Sequence, residues 1–142
     1  MRLALTADLD ALSGIREFVT DAMIALGTDP DVHDEIRLAV DEAVTNILTH
    51  GYKGPGPVEL DIAADGDDLV VVIADEAPLF DPTQSTDVDL TPPGERQAPG
   101  GYGLFLIRQA MDDVLYRKSS RGNELRLIRR GVVHTGQSGM SA

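Results

Sequence analysis

Cysteine and tryptophan are absent from this chain of 142 residues, and phenylalanine and tyrosine occur three times each. Without cysteine there is no disulfide framework and no thiolate metal site, which is compatible with a reducing compartment. With so few aromatics, the core has to be built mainly from Leu, Ile, Val and Ala. Basic residues are scarce too: 12 Lys and Arg stand against 24 Asp and Glu, a formal net charge of −12. Binding to a phosphate backbone needs a basic surface, so direct contact with nucleic acid is not expected. The acidic balance serves solubility or complements a basic protein partner. No apolar run approaches the roughly 20 residues that span a bilayer. The start, Met1-Arg2-Leu3-Ala4-Leu5-Thr6, lacks the apolar core of a signal peptide. A cytoplasmic protein with no membrane association is the expectation.

What is present reads as one α+β domain over residues 1–130, with a flexible tail at 131–142. A short strand is predicted at 3–6, then a helix from Asp8 or Asp10 carrying Leu12, Ile15, Val19, Ala22 or Met23, and Leu26 on one stripe, with Gly27 to stop it. A second helix begins near Asp31, with Asp31 and Asp34 available to its first amides. It buries Ile36, Val40, Ala43 and Ile47 and ends at Gly51. Val58, Leu60 and Ile62 alternate with Glu59 and Asp61 as in a half-buried strand, and Asp65-Gly66-Asp67-Asp68 turns the chain into an apolar run at 69–74. Periodicity vanishes from 81 to 99, a stretch with four prolines, read as a lid over about 82–100. A helix at 104–111 and strands at 114–118 and 124–129 complete a sandwich of helices on one face of a mixed sheet.

Three short segments carry candidate chemistry. In Asp41-Glu42-Ala43-Val44-Thr45-Asn46, Glu42 and Asn46 are four residues apart and share a helical face. That sets a potential base beside an amide oxygen able to ligate Mg2+, although the spacing by itself is better explained by an ordinary polar helix shoulder. Asp75, where an apolar strand ends before Glu76-Ala77-Pro78, could accept a hydrogen bond from a base's exocyclic amine or make a turn with its own backbone. Gly100-Gly101-Tyr102-Gly103 before a helix offers amides and a positive helix terminus to a polyphosphate, or is a plain loop. Neither Walker A nor the dinucleotide fingerprint occurs.

In their order along the chain, these segments resemble the motifs of the Bergerat-fold (GHKL) ATPases, the superfamily of gyrase, histidine kinases and related chaperones. Glu42 to Asn46 with His50-Gly51-Tyr52 is similar to its N-box, Asp75-Glu76-Ala77-Pro78 to its first glycine box, and Gly101-Tyr102-Gly103-Leu104 to its second. Pro78-Leu79-Phe80-Asp81-Pro82 and Gly122-Asn123-Glu124-Leu125 narrow the resemblance to the bacterial anti-sigma-factor serine kinases.

The resemblance implies a two-layer sandwich with ATP between helices and lid. It implies Asn46 as Mg2+ ligand and Glu42 as general base toward a protein serine or threonine. Asp75 would bind the adenine amine, with His50, Ala77, Pro78, Gly100, Gly101, Tyr102, Gly103 and Leu104 around the nucleotide. The partners it implies are an anti-anti-sigma protein as phosphoacceptor and a sigma factor, and family members commonly form homodimers. The sequence departs from the pattern at Ala77, where the first box usually has glycine, and at Gly122-Asn123-Glu124, which lacks a threonine often near adenine. Arg96 is the lone cation of the lid segment. The rival reading is a module that binds ATP to order a partner surface without phosphoryl transfer. A detached histidine kinase domain is disfavoured, because His33, His50 and His134 sit in no dimerisation-type context.

Overall fold

The structure is a computed structural model that describes residues 1–81 and 101–134, with the side chains of 101–104 outside that description. The expected lid, including Arg96 and Gly100, and residues 135–142 also lie outside the described residues.

Strand β1 (Arg2–Ala7) leads through a 3-10 turn at Leu9–Ala11 into helix α1 (Leu12–Ala25). Asp8 accepts the Ala11 amide at 3.0 Å and so starts this helix. Gly27, with φ +76°, ends it in the left-handed conformation that glycine adopts without a steric cost. A 3-10 turn at Pro30–Val32 precedes α2 (His33–Asn46), and the chain continues as a π-helical turn over Ile47–Tyr52. The carboxylate that caps this start is Asp29, which accepts the Asp31 amide at 2.9 Å, rather than Asp31 or Asp34. Pro30 supplies the reason: it occupies the first helical position, which leaves the cap to the residue before it.

Strands β2 (Gly56–Asp65) and β3 (Asp68–Asp75) form a hairpin over Gly66, whose φ is +63°. Helix α3 (Gly101–Ala110) then leads to the second hairpin, β4 (Asp113–Lys118) and β5 (Asn123–Arg129). The sheet order is β1-β2-β3-β5-β4.

Every pairing in this sheet is antiparallel, where the sequence suggested a mixed sheet. The connections explain it. Two helices between β1 and β2 bring the chain back to the end it left, so β2 must run down beside β1. The single helix between β3 and β4 makes those two strands run the same way, but β5 lies between them.

The core is one cluster between sheet and helices. Ile15, Val19 and Met23 of α1, Ile36, Val40 and Val44 of α2 and Ile107 of α3 meet Leu60 and Ile62 of β2, Val71 and Ile73 of β3, and Leu127 of β5. Helix α2 touches both α1 and α3. The opposite sheet face carries ion pairs, Arg2–Asp61 at 3.1 Å and Arg117–Glu124 at 2.8 Å.

The ordered unit extends past the boundary expected at residue 130. Val132 and Val133 are buried, at 7% and 1% exposure. The Val132 carbonyl accepts the Asp29 amide at 2.7 Å, the Val133 amide donates to the Asp67 carbonyl at 2.9 Å, and the His134 amide donates to the Gly27 carbonyl at 2.9 Å. Two valines were too short a signal to separate from a frayed end. Val133→Ala should lower unfolding stability by about 1–3 kcal/mol in urea denaturation; a midpoint equal to wild type would put the end of the folded unit before residue 131.

Candidate nucleotide site

The sequence-predicted residues come from three elements. Glu42 and Asn46 lie on the last turns of α2, both half-buried. No hydrogen bond among the described residues occupies either side chain. Burial, and then the neighbouring Asp41 carboxylate, push the Glu42 carboxyl above the usual range. Asp41 itself is held by Arg16 through two contacts of 3.1 and 3.2 Å. His50 is exposed on the π-helical turn. That turn ends at Lys53, the single non-glycine residue with positive φ (+57°) among the described residues.

Asp75 ends β3 with 7% exposure. Its Oδ1 accepts the Ala77 amide at 2.9 Å and an Asn123 amide hydrogen at 2.9 Å. No hydrogen bond among the described residues reaches Oδ2. Burial raises the Asp75 carboxyl above its ordinary value, opposed by the hydrogen bonds from Asn123 and Ala77. The turn reading of Asp75 is seen directly, with Oδ1 closing the turn onto the Ala77 amide.

The loop after Asp75 is fixed from two sides. The Tyr52 hydroxyl accepts the Glu76 amide at 2.7 Å and donates to the Pro57 carbonyl at 2.7 Å, tying the end of the α2 segment to this loop. On the far side Arg121 pairs with Glu76 at 2.6 Å. Ala77 is buried at 5% exposure and its φ is not positive, so its methyl group meets no backbone penalty. Instead the methyl packs at Gly51, where an added Cβ would come within 3.0 Å of it. Pro78 is exposed.

Gly101, Tyr102 and Gly103 belong to the first turn of α3, which starts three residues earlier than the sequence suggested. First-turn amides have no partner within their own helix, so this backbone keeps the anion-binding capacity assigned to the loop. Side chains of Tyr102 and Leu104, and all of Gly100, fall outside the described residues.

Sequence reasoning singled out Asn123 only as part of a motif, not as a member of the site. The available signal was its position: the first residue of β5, in register with Asp75 at the last residue of β3. Gly122, quoted in the same motif, was likewise not placed at the site. A Cβ there would lie 2.2 Å from the Asp75 carbonyl oxygen, a backbone atom. A separate cleft of about 610 Å3, lined by Asp8, Leu9, Asp10, Leu48, Thr49, Lys53, Gly54 and Pro55, contains none of the predicted site residues.

The family described as the histidine kinase-like ATPase domain matches residues 5–129. The chain belongs to this family.

Among curated ATPase-family relatives, the serine-protein kinase RsbW of Staphylococcus epidermidis is 31% identical over 128 residues, covering 84% of this chain and 80% of its own length. RsbW of Bacillus subtilis (strain 168) is 33% identical over 113 residues, covering 75% and 70%. The serine/threonine-protein kinase BtrW of Bordetella bronchiseptica is 31% identical over 94 residues, covering 65% and 66%. Among solved structures, the RsbU and RsbW domains of Rv1364c from Mycobacterium tuberculosis superpose with a TM-score of 0.57 at 20% identity, over 92% of this chain and 32% of that one. The histidine kinase AdeS of Acinetobacter baumannii gives 0.51 at 12% identity, over 91% and 68%. At those identities the structural likeness is one of fold, the α+β Bergerat sandwich expected from the sequence.

Gly122→Ala should destabilise this ATPase domain by about 1–3 kcal/mol, since backbone cannot yield as a side chain can. Thermal unfolding measures it, and an unshifted melting temperature would contradict the close approach of residues 122 and 75.

Proposed function

We propose that this chain is an ATP- and Mg2+-dependent protein serine/threonine kinase of the anti-sigma type. Its acceptor is a small anti-anti-sigma protein, and it holds a sigma factor when that acceptor is phosphorylated. The observation that carries the reading is the buried Asp75, with Oδ1 satisfied internally and no donor to Oδ2 among the described residues. A carboxylate of this kind, in a buried residue, suits an exocyclic amine such as that of adenine. Relatives with the same family assignment are named serine-protein and serine/threonine-protein kinases.

The donor set fits ATP and a hard cation. The Asn46 amide oxygen is a neutral oxygen ligand of the type Mg2+ accepts, and the first-turn amides of α3 suit phosphate oxygens. Mg2+, when bound, offsets the charge of the phosphates. Glu42 takes the proton of the acceptor hydroxyl while its oxygen bonds to the γ-phosphorus and the bond from that phosphorus to ADP breaks. Its raised pKa makes Glu42 a stronger base than an exposed carboxylate, provided it is ionised. His50, Ala77 and Pro78 border the nucleotide, with Gly100 and Leu104 assigned to it from the motif. Cytoplasmic location, the absence of nucleic-acid and membrane contact, and homodimer formation belong to the same proposal; among the described residues no helix is long and apolar enough to cross a membrane.

Four outcomes test this. Asn46→Ala should abolish Mg2+-dependent ATP binding in calorimetry, and an unchanged affinity would remove Asn46 from the metal site. Glu42→Gln should keep ATP binding but lose at least about 100-fold in transfer of radiolabelled phosphate to an anti-anti-sigma acceptor. Retained transfer would instead favour a module that binds ATP without catalysis. In the wild type, transfer should fall as pH drops through the raised pKa of Glu42, because only the ionised form accepts a proton. Asp41→Asn removes a neighbouring negative charge that raises this pKa, so the acid limb of kcat should move to lower pH.

A further inference from the structure

Asn123 lies at the start of β5 with 7% exposure and uses both ends of its amide. Nδ2 donates to Asp75 Oδ1 at 2.9 Å, with the carbonyl oxygens of Ala77 at 3.2 Å and Pro78 at 3.3 Å beside it. Oδ1 accepts the Tyr116 hydroxyl at 2.6 Å and the Phe80 amide at 3.0 Å. The chemistry of the partners fixes this orientation. A backbone amide can only donate and a carbonyl can only accept, so a flipped side chain would set NH2 against the Phe80 N–H and oxygen against two carbonyls.

We propose that Asn123 is a positioning residue that sets base selectivity: it holds Asp75 with Oδ2 turned to the ligand, and through Phe80 and Tyr116 it ties that orientation to the backbone of residues 77–80. The proposal rests on the ATP-site reading above. An ionised carboxylate can accept a hydrogen bond but not give one, so it selects the 6-amino group of adenine and rejects the 6-oxo group of hypoxanthine. A protonated or rotated Asp75 can donate to an oxo group and loses that choice. The Asn123 hydrogen bond favours the ionised form against burial. The other titratable groups coupled to Asp75 among the described residues are Tyr52, on the turn after α2, and Tyr116 of β4. Both are pushed above their ordinary value and stay neutral in the acid range. Glu76, adjacent in the chain, is paired with Arg121.

The test uses the full chain, calorimetric Kd values for ATP and ITP with Mg2+, and a carbon-13 NMR titration of the Asp75 carboxyl in nucleotide-free protein. Asn123→Leu keeps the volume and removes the amide. It should weaken ATP about tenfold or more, the scale of a hydrogen bond to a charged group. It should also reduce the ATP-to-ITP preference at least about fivefold and move the Asp75 titration to higher pH. Tyr116→Phe, which removes one donor to Asn123, should do the same in smaller measure, about two- to threefold. A folded Asn123→Leu protein with wild-type preference and wild-type Asp75 titration overturns the proposal. If that variant does not fold, Tyr116→Phe decides: an unmoved preference and titration overturn it. If wild-type protein does not distinguish ATP from ITP, the adenine reading has failed. The nucleotide-free titration then still decides whether Asn123 governs the carboxylate.

Discussion

A carboxylate taken out of water must be hydrogen-bonded, and one end of the sheet is arranged around that demand at Asp75. The β3–β5 register sets Asn123 directly across from it. The approach this requires leaves no room for a Cβ at Gly122. The turn onward brings the Ala77 amide to the same oxygen. The Tyr52 hydroxyl then pins the next peptide from the other side. Strand register and loop shape thus converge on a single buried carboxylate. Replacing the Asn123 or Ala77 contact leaves the Asp75 carboxylate short of a partner in a place water cannot easily supply one.

The antiparallel topology explains why the remaining parts converge there. An even number of helices between β1 and β2 carries the end of α2 back to the sheet end at which β2 begins and β3 finishes. Glu42 and Asn46 are therefore delivered to the end where Asp75 lies, and α3 begins after the chain leaves that end. The switch from α- to π-helical turns after Asn46, closed by Lys53 in the left-handed region, turns Tyr52 toward the loop beyond β3. Single-turn π segments commonly mark functional positions in helices, and here the turn joins two motifs of the ATPase family.

Electrostatics divide the labour between the two carboxylates. Glu42 is raised by burial and by Asp41, with no hydrogen bond to its side chain among the described residues, which suits the base proposed above. Asp75 is raised by burial but restrained by two donors, which suits a fixed acceptor. The same functional group, a carboxyl, differs between the two positions because the surroundings differ.

Much of the fold was legible in the sequence because periodicity is a local property. Ile15, Val19 and Ala22 on one helix, Ile36, Val40 and Ala43 on the next, and the alternation at Val58, Leu60 and Ile62 each declare an element within a few residues. The ordered motifs Glu42 to Asn46, Asp75 to Pro78 and Gly101 to Leu104 likewise pointed to the family. Long-range pairing is not written in such patterns. The sequence alone could not say that all strands pair antiparallel, that Val132 and Val133 close against Asp29 and Asp67, or that Asn123 meets Asp75 across 48 residues of chain. Nor could it say that Ala77 avoids positive φ or that its methyl group faces Gly51. Local propensity determined the elements and the candidate side chains. Only tertiary packing decided which oxygen of Asp75 is occupied, because a hydrogen bond between distant residues exists only once the sheet that aligns them has formed.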